Sequence, residues 1–155
     1  TMQAARPSVG AGLCGPTCYR ATAAPLRGVI CHCGICRRHA GAPAMAFVHF
    51  PADAFQWRGP APNWFRSSAH AERGFCPRCG STLGMREDVL DDRVQVSIGS
   101  LDDPTRVRID DHVWTRSRLP WFETTDHLPR FARSSTAVPS DADDAGSDSG
   151  LSGTA

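Results

Sequence analysis

Val29-Ile30-Cys31-His32-Cys33-Gly34-Ile35-Cys36-Arg37-Arg38 is the stretch on which the reading of the chain turns. Val29 to Cys33 reads as the end of a strand, where residues two apart share a face, so Cys31 and Cys33 point the same way. A helical turn starting at Gly34 then brings Cys36 back towards them. Three thiolates gathered in this way suit one zinc ion, with Zn–S distances of about 2.3 Å, and the motif leaves the fourth position unfilled. Three protein ligands with one open position is the pattern of catalytic zinc, and four is the structural pattern. Either the site is open and reactive, or Cys18 or a residue elsewhere closes it. Zn²⁺ with three thiolates carries a net charge of −1, which Arg37 and Arg38 can offset, or they can attract an anionic substrate.

Further along, Cys76-Pro77-Arg78-Cys79-Gly80 is a zinc-knuckle sequence: a short turn aims two sulfurs at one point. Gly80 tolerates the positive φ of such a turn, and backbone N–H groups can then face the thiolates. Two more ligands must come from elsewhere, and Cys14 and Cys18 are the only cysteines outside the trio. The rival reading is a redox dithiol, but that motif opens a helix in a βαβ context. Nothing after Gly80 looks helical, so a structural zinc on Cys14, Cys18, Cys76 and Cys79 is the expectation. Seven cysteines, an odd number, also argue against a disulfide framework.

At 155 residues, 41% hydrophobic and 21% charged, the chain allows one domain with a modest core. No stretch approaches the ~20 continuous apolar residues of a membrane helix. Thr1 to Gly12 has one Arg and no apolar h-region, so no secretory signal is expected and a cytoplasmic location is. All 17 basic residues are Arg; the net charge is +1, and residues 1–133 carry 17 − 12 = +5. That excess makes no DNA-binding stripe, so nucleic acid is not expected as a partner. Residues 1–9 read as a disordered lead-in and 134–155, rich in Ser, Asp, Gly and Ala, as a disordered acidic tail. The domain is therefore 10–133.

Within it strand signals dominate. Arg93-Val94-Gln95-Val96-Ser97-Ile98 alternates polar and apolar, as a half-buried strand should. Shorter runs of the same character are Ala44 to Phe50, Phe55 to Arg58, Asn63 to Ser67, Ala71 to Phe75, Thr82 to Arg86 and His112 to Arg116, separated by Pro and Gly. Helical periodicity is scarce, and the helical pieces expected are turns at Gly34–His39 and Pro51–Ala54. The fold class is mostly β, in two or three small sheets.

These pieces together resemble the glutathione-dependent formaldehyde-activating enzyme family, whose domain is shared with centromere protein V. The resemblance runs from about Gly10 to Phe131. It is carried by Gly10-x-x-x-Cys14-Gly15, Cys31-x-Cys33-x-x-Cys36-Arg37, Gly74-Phe75-Cys76-x-x-Cys79-Gly80-Ser81 and Ser97-Ile98-Gly99-Ser100-Leu101-Asp102, with Asp111-His112-Val113-Trp114 and Leu119-Pro120-Trp121 in support. The resemblance implies a β-tent-like fold built around two zinc ions. One is structural, and the other, on the positions of Cys31, Cys33 and Cys36, is catalytic. It also implies a carbon–sulfur lyase that joins formaldehyde to glutathione as S-hydroxymethylglutathione. The family's early Gly-x-Cys-x-Cys-Gly reads here Gly10-Ala11-Gly12-Leu13-Cys14-Gly15, so Gly12 stands where a ligand is expected. Either Gly15-Pro16 turns the chain so that Cys18 substitutes, or the site has three cysteines and water.

The chemistry that suits an open three-thiolate zinc is addition of a thiol, such as glutathione, to an aldehyde. Arg37 and Arg38, and Arg118 beside them, are candidate clamps for the substrate's carboxylates, against the blander reading of solvated surface arginines. His32 would point to the opposite face of the strand from its neighbouring cysteines. His112 sits in a family-like segment that can approach the site or simply pack. Trp121, after Pro120, can wall a pocket, while Trp57, Trp64 and Trp114 read as packing. The alternative to an enzyme is a non-catalytic zinc-stabilised binding module.

Overall fold

The central strand of the molecule is buried on both faces, and that sets the architecture. The computed structural model describes residues 6–135. Its strands are β1 (Ser8–Ala11), β2 (Cys18–Ala21), β3 (Arg27–Cys31), β4 (Met45–Pro51), β5 (Phe55–Arg58), β6 (Asn63–Arg66), β7 (Ala71–Phe75), β8 (Thr82–Glu87), β9 (Arg93–Ser97) and β10 (Asp111–Val113), with a single α-helix, α1 (Gly34–Ala40). They form two sheets: β1-β2-β5, and a seven-stranded sheet in the order β10-β3-β4-β9-β8-β7-β6. Among the described strands only β10 and β3 pair in parallel, with a further parallel bridge between His112 and Arg130; the other strand pairs are antiparallel. The larger sheet exceeds the small sheets expected from the sequence, because β6 to β9 join through short turns and the non-local pairings β9–β4 and β3–β10 extend them into one surface.

Alternation along β4 divides the core. Val48 and Phe50 face the three-stranded sheet and pack with Tyr19, Ala21, Val96 and Leu101. Met45 and Phe47 face the other way and pack with Val29, Cys31, Cys33, Cys36, Met85 and Val113. Directly opposed residues on paired strands share a face. The register Arg27↔His49↔Gln95↔Met85↔Arg73 therefore runs a row of side chains across β3, β4, β9, β8 and β7 on the same face as Cys31.

The strands at Phe55–Arg58 and Ala71–Phe75 have the expected limits, and the other expected runs lie within two residues of the strands they became, except at β10; β1 and β2 were not expected. That strand spans Asp111–Val113, not His112 to Arg116. Trp114 adopts a left-handed backbone, φ 55°, and a 3-10 turn follows at Thr115–Ser117. The two helical turns are present: α1, closed by Gly41 at φ 62°, and a 3-10 turn at Ala52–Ala54.

The lead-in expected over 1–9 needs correction at its end. Ser8 and Val9 pair with Ala21 and Arg20 in β1–β2, and the carbonyls of Arg6 and Pro7 accept hydrogen bonds from Arg106. Residues 1–5 lie outside the described residues, as do 136–155 of the expected tail. Ser134 and Ser135 are described, and Arg27 donates to the Ser135 hydroxyl. No helix among the described residues is long and apolar enough to cross a membrane.

Candidate functional site

Two trios of cysteine sulfurs are gathered by this fold, Cys31–Cys33–Cys36 and Cys14–Cys76–Cys79, each with all three sulfurs within 4.8 Å of one another. Sulfurs that share a tetrahedral zinc lie about 3.8 Å apart, twice the Zn–S distance resolved at the tetrahedral angle, so both trios fit a metal ion of that size. All seven cysteines are free thiols.

The first trio is built by the junction of β3 and α1. Cys31 ends the strand, Cys33 is still extended (φ −66°, ψ 156°) and caps the helix, and Cys36 lies one turn in. The Cys36 N–H donates to Cys33 Sγ at 3.3 Å. All three sulfur-bearing residues are buried. Across the sheet Arg73, on β7 and only 6% exposed, donates from Nη1 to Cys36 Sγ at 3.2 Å and from Nε to Ser67 Oγ at 3.1 Å. Of the three thiols, Cys36 is the one favoured in its thiolate form. Hydrogen bonds from Cys31 and Cys33, then the Arg73 charge, hold its thiol well below the usual value. Cys31 is raised by its contacts with Cys33 and Cys36 and by burial. Cys33, although Cys31 hydrogen-bonds to it, is pushed up to about 12 by Cys36 and burial.

These sulfurs open on a cavity of about 80 Å³ whose wall continues through Arg73, His49 and Gln95 to Arg27. Arg27 is bound by Asp111 at 2.5 and 2.6 Å, and Gln95 donates to Glu87 at 2.7 Å. His49 is 3% exposed, and neither ring nitrogen has a hydrogen-bond partner among the described residues. Burial, then the charges of Arg27 and Arg93, pull its pKa down to about 4, so it stands neutral.

The expected substrate clamps lie elsewhere. Arg37 and Arg38 follow Cys36 round α1, are half-buried and exposed respectively, and do not line this cavity. Successive helical residues turn by about 100°, so the face that buries Cys36 turns them away. Trp121 is 71% exposed against Phe122. His112 lies on the opposite face of the sheet, in a second cavity that it lines together with Arg118, hydrogen-bonded to His32 at 2.9 Å and to Asp126 at 3.1 Å. His32 does turn away from the sulfurs, as the strand geometry requires. Burial, then His112 and Arg118, lower its pKa to about 4.

The second trio is set by the knuckle. Cys76 N–H donates to Ser81 O, Gly80 N–H donates to Cys76 O, and Gly80 has φ 75°. Cys14 Sγ lies 3.6 Å from Cys76 Sγ, and Ser81 Oγ lies 3.1 Å from Cys79 Sγ. Hydrogen bonds from the Ser81 hydroxyl and N–H, then from the Cys14 N–H, hold Cys79 down to about 6, and burial raises Cys14 to about 11. Cys18 is not part of this cluster. It begins β2 opposite Ala11, and its Sγ lies 3.6 Å from Arg58 O. The Gly15-Pro16 turn leads into the β1–β2 hairpin rather than back to Cys14.

The sequence reading missed Arg73, His49, Arg27 and Gln95. Arg73 falls between Ala71 and Phe75 in the phase that faces the core, and a charge in that phase was the available signal.

This is a mostly β protein with two clusters of free thiols, one buried on a cavity, each of which could hold a metal ion. Residues 8–117 match glutathione-dependent formaldehyde-activating enzyme, and the chain belongs to that family. Among solved structures it is similar to a structural-genomics protein of Rhodobacter sphaeroides, with 15% identity and a TM-score of 0.49, over 79% of this chain and 98% of that one. No curated protein matches it.

Proposed function

We propose that the chain is a zinc-dependent carbon–sulfur lyase that adds glutathione, or another small thiol, to formaldehyde or a related aldehyde, reversibly. In this reading Cys31, Cys33 and Cys36 hold the catalytic zinc, and Cys14, Cys76 and Cys79 hold a second ion within a β-tent-like fold. The observation that carries it is the buried trio facing a cavity, with a buried guanidinium on one of its sulfurs. A zinc ion there supplies a soft Lewis acid that favours the thiolate form of a substrate thiol or polarises the aldehyde oxygen.

The protein's own groups do the rest. Arg73 balances part of the negative charge of the three thiolates and fixes Cys36 in place. The apolar wall formed by Val29, Phe47, Met85 and Val113 keeps water scarce, which strengthens these electrostatic contacts. The reaction forms one bond, between the thiol sulfur and the carbonyl carbon, while the thiol proton passes to the aldehyde oxygen; the reverse breaks the same C–S bond. Seven free thiols suit a reducing compartment, which supports a cytoplasmic location.

The test is the exchange rate between free formaldehyde and its glutathione adduct, followed by NMR with ¹³C-labelled formaldehyde. Zinc-loaded protein is expected to accelerate exchange over buffer alone, and Cys36→Ala to remove the acceleration while the protein stays folded. An exchange rate equal to that of buffer would sink the proposal.

A further inference from the structure

We infer that the Cys14–Cys76–Cys79 centre is an open metal site, with three thiolates from this chain and a fourth ligand, a thiol or water, taken from solution. The inference rests on the reading of the knuckle as a zinc site, not on the chemistry proposed at the buried trio.

The geometry around Gly12 carries it. Gly12 is buried, held by its N–H to Thr17 O and by its carbonyl to the Gly15 N–H. A Cβ at this position would lie 3.2 Å from Cys76 Cβ, and 3.5 Å from both Cys76 Sγ and Ser81 Cβ. A side chain at 12 would thus enter the sulfur cluster directly, and glycine supplies none. Cys18 is engaged at Arg58 O. Among the described residues no further His, Cys, Asp or Glu joins the group.

Access supports the same conclusion. Cys79 is exposed, Cys14 half-buried and neighbouring Leu13 91% exposed, whereas every cysteine of the other trio is buried. The two centres therefore differ in kind. One is enclosed in a cavity; the other faces solvent and lacks an internal fourth donor. Zinc takes sulfur ligands readily, so a small thiol can occupy the open position in place of water. A metal held by three protein ligands at the surface also leaves faster than one held by four.

The experiment follows zinc release from the full-length, zinc-loaded protein to a chromophoric chelator. Two phases are expected, the faster absent in Cys79→Ser. Gly12→Cys is expected to slow that phase about tenfold or more, since even the loss of an outer-shell partner changes metal affinity 10–100-fold. Cys18→Ala is expected to leave it unchanged. Faster release in Cys18→Ala would show that Cys18 closes the site and overturn the inference, as would an unaltered fast phase in folded Gly12→Cys. A fast phase that persists in Cys79→Ser would also overturn it.

The 3.2 Å contact requires Cys76 to give by a few tenths of an ångström, and Gly12→Cys can fail to fold. In that event cobalt(II)-loaded wild-type protein decides. Added 2-mercaptoethanol should raise the sulfur-to-cobalt charge-transfer absorption more in wild type than in Cys79→Ser, and equal rises overturn the inference. Failure of formaldehyde exchange would sink the lyase reading and leave these release kinetics as they are.

Discussion

Arg73 Nη1 donates to Cys36 Sγ across 3.2 Å, joining a strand on one side of the cavity to the helix that carries the last cysteine of the buried trio. At 6% exposure the guanidinium has left water, so it requires an anion and several acceptors. Cys36 supplies the charge and Ser67 a further oxygen. Each side keeps the other ionised: Arg73 is raised by Cys36 against the opposing effect of burial.

Arg73→Met tests that dependence. It preserves much of the volume but leaves Cys36 without its cation. Removing one partner of a buried pair costs about 3–5 kcal/mol, and urea denaturation of the metal-free protein should show a loss of that order. Zinc affinity at the buried trio should fall as well, measured by chelator competition. A Met variant as stable as wild type, with unchanged zinc affinity, contradicts the role assigned to the pair.

Much of this arrangement was legible before the fold was seen, and the failures have physical reasons. The Cys31–Cys36 trio was readable because its spacing depends only on a strand end and one helical turn, both local. Cys18 was misplaced because its partner is set by the hairpin register Ala11↔Cys18, which no spacing reports. β1 escaped notice because Ser8-Val9-Gly10-Ala11 holds little bulk, yet small residues are what the packing needs. A Cβ on Gly10 would fall 2.3 Å from the Tyr19 hydroxyl. The alternation of Arg93 to Ser97 was read as one wet and one dry face. Val94 and Val96 do face the apolar core, but Gln95 is 2% exposed and lines the cavity instead of meeting solvent. Polar residues turned towards a site and polar residues turned towards water look alike in one sequence.

The two trios should respond differently to truncation. Cys36→Ala removes a ligand from a wall otherwise packed by Val29, Met45 and Phe47, so the fold should persist with one zinc equivalent lost and activity abolished. Cys79→Ala removes the cross-link between the Cys14 turn and the Cys76 knuckle, segments otherwise joined by the Leu13 N–H to Ser81 Oγ bond. Metal binding there is coupled to holding these two segments together, so this variant should show the larger fall in melting temperature. Metal analysis paired with calorimetry checks both, and the reverse ranking would exchange the roles of the two centres.

Asp126 ties the C-terminal segment to the sheet. Its carboxylate takes hydrogen bonds from His112 Nε2, the Leu128 N–H and Arg130, all between 3.1 and 3.2 Å. Asp126 accepts from His112 Nε2, which holds the ring so that its Nδ1 meets Nε2 of the buried His32 at 2.9 Å and orients it. Asp126→Asn should loosen this segment while leaving the sulfur trios in place. Amide exchange at Phe131, whose N–H donates to His112 O, should accelerate with zinc stoichiometry unchanged. Equal exchange rates in both proteins would show that the backbone bonds alone hold the segment.

His49 makes stability depend on pH in a defined direction. Burial, with Arg27 and Arg93 nearby, sets its folded-state pKa at about 4, whereas in the unfolded chain it titrates near its ordinary value of 6.5. Between these values the unfolded chain binds a proton that the folded protein refuses, so unfolding becomes easier as pH falls. The stability is intact above pH 6.5 and declines towards pH 4. By pH 5 a group displaced this far costs about 2 kcal/mol, at 1.36 kcal/mol per pH unit. His49→Gln keeps a neutral polar side chain and removes the titration. The difference in unfolding free energy between variant and wild type should shift by that amount between pH 7 and pH 5, and taking the difference cancels proton release coupled to the metal sites. Parallel pH profiles for the two proteins would mean that His49 is protonated, or hydrogen-bonded to water, in the folded state.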